Sequence, residues 1–172
     1  IDAAFDRCYA ADPVSIFGGI VVANRPLDVA TAEKLNSMFL EIVLAPSYTE
    51  AALAILSKKK NVRIMTLDFS AAKAGGKEFV SVLGGMLEQT QDINTEDVPA
   101  NWEVMTERQP TEDEMKAMDF AWKVVKHVKS NAINLCKDQM LLGAGAGQMD
   151  RPSAARIAIA KAGGRATAAV GR

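Results

Sequence analysis

Histidine and cysteine are scarce in this chain. Its 172 residues include one histidine, His127, and two cysteines, Cys8 and Cys136, with no Cys-x-x-Cys spacing. That set argues against a zinc site, which draws three or four ligands mainly from these two residue types. The plain reading of the cysteines is two reduced thiols in a cytosolic protein, and a disulfide between them is the alternative. Excess charge is also missing. A net charge of −1 provides no global field to draw the chain to nucleic acid or an anionic membrane. No apolar run approaches the roughly 18 residues of a transmembrane span. No secretory signal leads the chain, and we find neither an internal repeat nor a low-complexity tract.

What is present is ordinary globular material, 49% hydrophobic and 24% charged, long enough for one domain with a real core. The opening Ile1-Asp2-Ala3-Ala4-Phe5 lacks Met and runs straight into a helical pattern. That start leads us to expect the interior of a longer protein.

The first half alternates. Residues 2–11 read as the end of a helix, with Ala3, Ala4, Cys8 and Ala11 on one side. Phe17 to Ala23 is an Ile- and Val-rich run, a buried strand. After the turn Asn24-Arg25-Pro26, Asp28 caps a helix from Val29 to Phe39. Glu41 to Ala45 is a strand stopped by Pro46, and Thr49 caps a helix over 50–57. Lys58-Lys59-Lys60-Asn61 is a charged turn, whose lysines read as solvated surface. Val62 to Leu67 is a third strand. This order predicts an α/β fold with a largely parallel sheet.

The second half is less regular. Residues 68–77 read as a loop, and Phe79 to Gln91 as a strand interrupted at Gly84-Gly85. The polar stretch from Asp92 to Ala100 reads as a connecting loop and a loose domain boundary. Trp102 to Thr106 is a short strand. Thr111 starts a helix to His127, with Met115, Met118, Ala121, Trp122 and Val125 at helical spacing. Thr111-Glu112-Asp113-Glu114 has the form of a capping box. Ala132 to Cys136 and Met140 to Ala146 are two strands of a hairpin. Asp150 caps a helix that runs to Ala162 and ends at Gly163-Gly164. Trp102 and Trp122 read as packing residues. No order is expected for 165–172.

One stretch stands apart. Ser130-Asn131-Ala132-Ile133 precedes Gly143-Ala144-Gly145-Ala146-Gly147-Gln148-Met149-Asp150-Arg151. Alternating glycines permit close backbone approach to a ligand. A helix N-terminus offers free N–H groups to an anion, and Arg adds a planar fork of donors. With Ser153-Ala154-Ala155-Arg156-Ile157-Ala158, this stretch resembles the AICAR transformylase domain of the bifunctional purine-biosynthesis enzyme that also carries IMP cyclohydrolase. Two further blocks agree in the same order. They are Ala11-Asp12-Pro13-Val14-Ser15-Ile16-Phe17-Gly18-Gly19-Ile20, and Glu41-Ile42-Val43-Leu44-Ala45-Pro46-Ser47-Tyr48 leading into Ala51-Ala52-Leu53-Ala54-Ile55-Leu56. Together they span nearly the whole chain.

The resemblance implies an incomplete α/β fold, a mixed sheet flanked by helices, similar to cytidine deaminase but without its zinc ligands. It divides the chain into part of a first deaminase-like subdomain, 1–92, and a connecting segment with the start of a second, 93–172. It implies formyl transfer from 10-formyltetrahydrofolate, the co-substrate, to the 5-amino group of AICAR, with no metal required, in a cytoplasmic homodimer. It places Asn131 and Arg151 toward the nucleotide, Glu41 and Gly18 toward the ribose, and Val14 and Pro152 where folate contacts the site. Each has a plainer alternative. Asn131 is also a turn-capping residue, and Arg151 an exposed residue at a helix start. Gly18 answers equally to tight packing, and Glu41 to a solvated strand end.

Lys126-His127 is not the family's catalytic Lys-His pair. That pair lies in a Lys-His-x-x-Pro-x-Gly context upstream of the Asp-Pro-x-Ser block, whereas here Val128-Lys129-Ser130 follows. We therefore read His127 as structural and expect the true pair before Ile1. The family also continues with a Ser-Asp-Ala-Phe-Phe-Pro-Phe segment and an Arg-His-Phe ending, and Val170-Gly171-Arg172 stops short of both. The expectation is roughly half of a transformylase domain and none of the cyclohydrolase, carrying part of a site and inactive alone. The alternative is a non-catalytic nucleotide-binding or oligomerisation portion of the larger enzyme.

Overall fold

A computed structural model describes residues 1–70, 75–93 and 98–171. The chain divides into two compact units, Ile1–Lys73 and Ala74–Arg172. The polar stretch 92–100 falls inside the second unit. Parts of the two expected loops, 71–74 and 94–97, lie outside the described residues, as does Arg172.

The first unit runs α1 (Asp2–Ala11), β1 (Gly19–Val22), α2 (Val29–Asn36), β2 (Leu40–Ala45), α3 (Glu50–Leu56) and β3 (Arg63–Thr66). The three strands lie side by side in that order, all parallel. Short polar residues start the helices as their sequence predicts. Asp28 accepts from the Thr31 N–H at 2.9 Å and Thr49 from the Ala52 N–H at 3.2 Å, each satisfying an N–H that the helix leaves unpaired. Register places Val21, Val43 and Ile64 in one row across the sheet. That face packs into a core with Ala32 and Leu35 of α2 and Ala52 and Leu56 of α3. The opposite face stays open, with Ile20 62% and Val22 57% exposed. α1 is tied to α2 by Lys34, which pairs with Asp2 and, at 2.8 Å, with Asp6.

The second unit opens with β4 (Lys77–Val82) and β5 (Gly85–Thr90), an antiparallel hairpin turned at Gly84, whose φ is +81°. This corrects the single interrupted strand expected over Phe79–Gln91: the chain reverses at Leu83-Gly84, and Gly85 already pairs with Val82 as the first residue of β5. Residues 102–106 form no strand either. After a 3-10 turn at Pro99–Asn101 the chain packs irregularly, and Trp102 meets Trp122 edge to face at 6.1 Å. α4 (Glu112–Val125) begins with the complete capping box of Thr111 and Glu114. Then come β6 (Ile133–Lys137), β7 (Met140–Gly145), α5 (Arg151–Ala162), a 3-10 segment Gly163–Ala168 and β8 (Val170–Gly171). These strands form an antiparallel sheet in the order β7-β6-β8. The end expected to lack order thus holds a 3-10 turn and a short strand. Among the described residues the fold is mixed α/β as expected, but its strands form three small sheets rather than one mixed sheet.

Candidate functional site

In the second unit the candidate residues gather around the turn between β7 and α5. Gly147, at φ +62°, donates its N–H to the Lys129 C=O at 2.7 Å. Asn131 and Gln148 exchange backbone hydrogen bonds, each 3.2 Å. The Asn131 side-chain Nδ2 then donates to the C=O groups of Gln148 and Met149, at 3.2 and 3.4 Å. Two carbonyls on that side fix which end of the amide is nitrogen. The Oδ1 faces away as an acceptor, and no donor among the described residues reaches it. Asn131 therefore braces the turn, as in its plain reading, and keeps one acceptor atom that no donor among the described residues engages.

Asp150 caps α5. It accepts from the Ser153 N–H and the Ser153 hydroxyl, both at 2.7 Å, and these bonds hold its carboxyl below the ordinary range. An ionised carboxylate thus already occupies the N-terminal position where the sequence suggested an anion cradle. Arg151 follows as the first helical residue, exposed and without an ion pair among the described residues. The capacity to bind an anion rests on its guanidinium rather than on the helix end. Pro152 is exposed beside it in the first turn.

Two of the alternating glycines have another task. A Cβ on Gly143 would lie 2.2 Å from the Ala158 carbonyl oxygen, and one on Gly145 would lie 1.9 Å from that of Ala154. α5 presses Ala154, Ala158 and Ala162, one stripe of its surface, onto β7. These glycines admit a helix, not a ligand. Only Gly147 is required by the turn itself.

In the first unit, Asp12 organises the turn before β1. Its carboxylate accepts from the backbone N–H groups of Val14 and Ser15, at 3.2 and 3.0 Å, and from the Ser15 hydroxyl at 2.8 Å. Val14 stands 81% exposed at the tip of this turn. Gly18 takes φ +69° and donates to the Phe39 C=O at 2.9 Å, just before β2. The Phe17 and Phe39 rings meet at a tilt of 39°, with centres 5.1 Å apart. Glu41, near the start of β2, pairs with Arg63 at 2.8 Å. Gly18 and Glu41 thus share the N-terminal end of neighbouring strands. Sequence reasoning missed Asp12 and Arg63. An Asp-Pro pair with Ser three residues on was the available signal for Asp12, whereas the pairing of Glu41 with Arg63 depends on strand register.

His127 is exposed just beyond α4, its backbone N–H donating to the Val124 C=O at 3.0 Å. Cys8 is exposed, Cys136 is buried, and both are free thiols. Among the described residues no group of His, Cys, Asp and Glu is arranged to hold a metal ion, and no helix is long and apolar enough to cross a membrane.

Comparison with known proteins gives this arrangement a context. A family model described as AICARFT/IMPCHase bienzyme matches residues 1–161. The chain belongs to this family. Curated relatives of the AICARFT/IMPCHase bienzyme family carry the name "Bifunctional purine biosynthesis protein PurH". The protein of that name from Streptococcus equi subsp. zooepidemicus is 56% identical over 173 residues, 99% of this chain and 33% of the relative. Those from Enterococcus faecalis and Streptococcus pneumoniae are 55% and 54% identical, over 98% and 99% of this chain and again 33% of each relative. The chain thus spans about a third of the length of the bienzymes it matches.

Proposed function

We propose that this chain forms the substrate-positioning part of an AICAR transformylase in purine biosynthesis. In this reading, Asn131 and Arg151 bind the nucleotide, Gly18 and Glu41 meet the ribose, and Val14 and Pro152 line the approach of 10-formyltetrahydrofolate. The observation that carries the reading is the pair at the β7–α5 turn. An amide oxygen fixed as an acceptor precedes a guanidinium with no ion pair among the described residues. A carboxamide or amino N–H suits the first and an anionic group the second.

The chemistry needs such positioning. The 5-amino group of AICAR is a poor nucleophile because its lone pair is delocalised into the imidazole and carboxamide. Holding amine and formyl carbon together lowers the barrier. A base must also take the amine proton, and donors must stabilise the oxyanion that develops on the formyl oxygen. We assign those two tasks to a Lys-His pair outside this chain, and the present residues to holding the nucleotide. No step calls for a metal. A deaminase-like fold completed by further chain, homodimeric assembly and a cytoplasmic setting complete the proposal. Two free thiols suit a reducing compartment.

The test is Arg151→Gln in the complete bienzyme polypeptide. Arg151 is exposed and makes no ion pair among the described residues, so the variant should fold normally. Loss of a charge-assisted hydrogen bond costs about 1.5–3 kcal/mol. The KM for AICAR should therefore rise by roughly 10- to 100-fold. An unchanged KM removes Arg151 from the site.

A further inference from the structure

Val14 and Gly18, placed above toward folate and toward the ribose, stand on one turn between α1 and β1. That turn is braced at both ends. At its start, a residue before proline is kept out of the helical region, and Asp12 leaves it with φ −152° and ψ 88°, which stops α1. The Asp12 Oδ1 accepts from the Val14 and Ser15 N–H groups, and its Oδ2 from the Ser15 hydroxyl. At the other end, the Gly18 N–H donates to the Phe39 C=O and the Gly19 N–H to the Ile16 C=O, both at 2.9 Å. A Cβ on Gly19 would lie 2.8 Å from that Ile16 oxygen, so glycine is needed there. Gly18 is thus anchored to the start of β2 without help from Asp12. Val14 has no such anchor. Its C=O meets the Phe17 N–H only at 3.5 Å, the outer limit of a hydrogen bond, and its N–H is held by Asp12.

Surface turns ordinarily move, yet a reaction between two bound molecules needs the reacting atoms held in a narrow range of distance and angle. We propose that Asp12 is a positioning residue for formyl transfer. Through its bonds to Val14 and Ser15 it sets where Val14 stands relative to Gly18, and so where 10-formyltetrahydrofolate stands relative to the ribose of AICAR. Asp12 acts through Val14 and has no substrate contact of its own. The inference rests on the placing of Val14 toward folate and Gly18 toward the ribose. The side-chain chemistry defines the useful substitutions. Alanine removes all three Asp12 bonds. Asparagine keeps an oxygen for the two N–H groups, and its amide N–H can donate to the Ser15 hydroxyl oxygen.

The test is steady-state kinetics on the complete bienzyme polypeptide, with each substrate varied in turn. In Asp12→Ala the KM for 10-formyltetrahydrofolate should rise and kcat should fall, each by roughly 3- to 10-fold, the worth of a hydrogen bond. The KM for AICAR should stay within about twofold, because Gly18 keeps its bond to Phe39. Asp12→Asn should restore most of both losses. A role in stability alone lowers the urea midpoint and leaves the folate KM unchanged or moves both KM values together, and either result overturns the proposal. If Asp12→Ala fails to fold, Ser15→Ala takes its place. It removes only the hydroxyl bond, and a rise of about 3-fold in folate KM is expected; no rise overturns the proposal. Val14→Ala tests the reading beneath it. A raised folate KM in Val14→Ala beside normal kinetics in Asp12→Ala overturns the positioning role and keeps Val14 at the site. An unchanged folate KM in Val14→Ala removes Val14 from the site, and the positioning role with it. The double variant should be little worse than the poorer single one, because both act through one side chain; full additivity refutes that coupling.

Discussion

Replacing Gly145 with alanine separates two readings of the glycine-rich turn. If Gly145 exists to let a ligand approach, the added methyl hinders binding and leaves folding intact. If it exists to admit α5, the methyl strikes the helix backbone. The new Cβ would stand 1.9 Å from the Ala154 carbonyl oxygen and 2.7 Å from its carbon. Both are main-chain atoms, so no side-chain rotation relieves the clash, and α5 must retreat by more than an ångström. Retreat lifts Ala154 and Ala158, now fully buried, off β7. A cost of about 3 kcal/mol follows, the upper end for an overpacked core. Gly143→Ala should cost a similar amount, because its Cβ would meet the Ala158 oxygen at 2.2 Å. Gly147→Ala is the control. It meets nothing within 4 Å and suffers only its φ of +62°, worth about 1 kcal/mol. Urea unfolding followed by tryptophan fluorescence measures all three, since Trp102 and Trp122 both lie in the second unit. At a slope of about 2 kcal/mol per molar urea, the first two variants lose roughly 1.5 M in midpoint and the control about 0.5 M. Midpoints for Gly143→Ala and Gly145→Ala no lower than that of Gly147→Ala would refute the packing argument.

The cysteines should differ in reactivity. Burial pushes the Cys136 thiol from 9.0 up to about 11, so at pH 8 only about one molecule in a thousand carries that thiolate. A thiol reagent should label Cys8 in the folded chain and Cys136 only after denaturation; equal labelling rates would contradict the burial. The same shift makes the folded state hold its proton longer than the unfolded state, so this thiol's contribution to stability declines as pH climbs from 9 toward 11. Glu114 acts at the other end of the scale. The Arg108 guanidinium, bonded to both carboxylate oxygens at 2.9 Å, and the Thr111 N–H lower its pKa from 4.5 to about 2. Its stabilising effect is complete above pH 4.5 and is lost as pH falls toward 2. Glu114→Gln should flatten the acid limb of a fluorescence titration in that window, and an unchanged limb would show that the pair does not contribute.

The chain's own order of residues determined what acts over three or four positions. Asp28, Thr49, Thr111 and Asp150 each cap a helix by bonding to a backbone N–H three residues on, so the starts of α2 to α5 were legible from residue types alone. The parallel βαβαβ order of the first unit was legible for a related reason, since short connections leave few ways to arrange alternating elements. Only the tertiary structure decided the rest. Whether the chain continues past Leu83-Gly84 or reverses there depends on whether the two halves pair, and they do. Whether Gly145 faces a ligand or a helix depends on where α5 returns across β7. Glu41 finds Arg63 across a strand register, and Asn131 is oriented by carbonyls 17 and 18 residues away. Local hydrogen bonds are written in neighbouring residues. Packing partners are brought together by the path of the chain, and no window of sequence short enough to read by pattern contains both sides of such a contact.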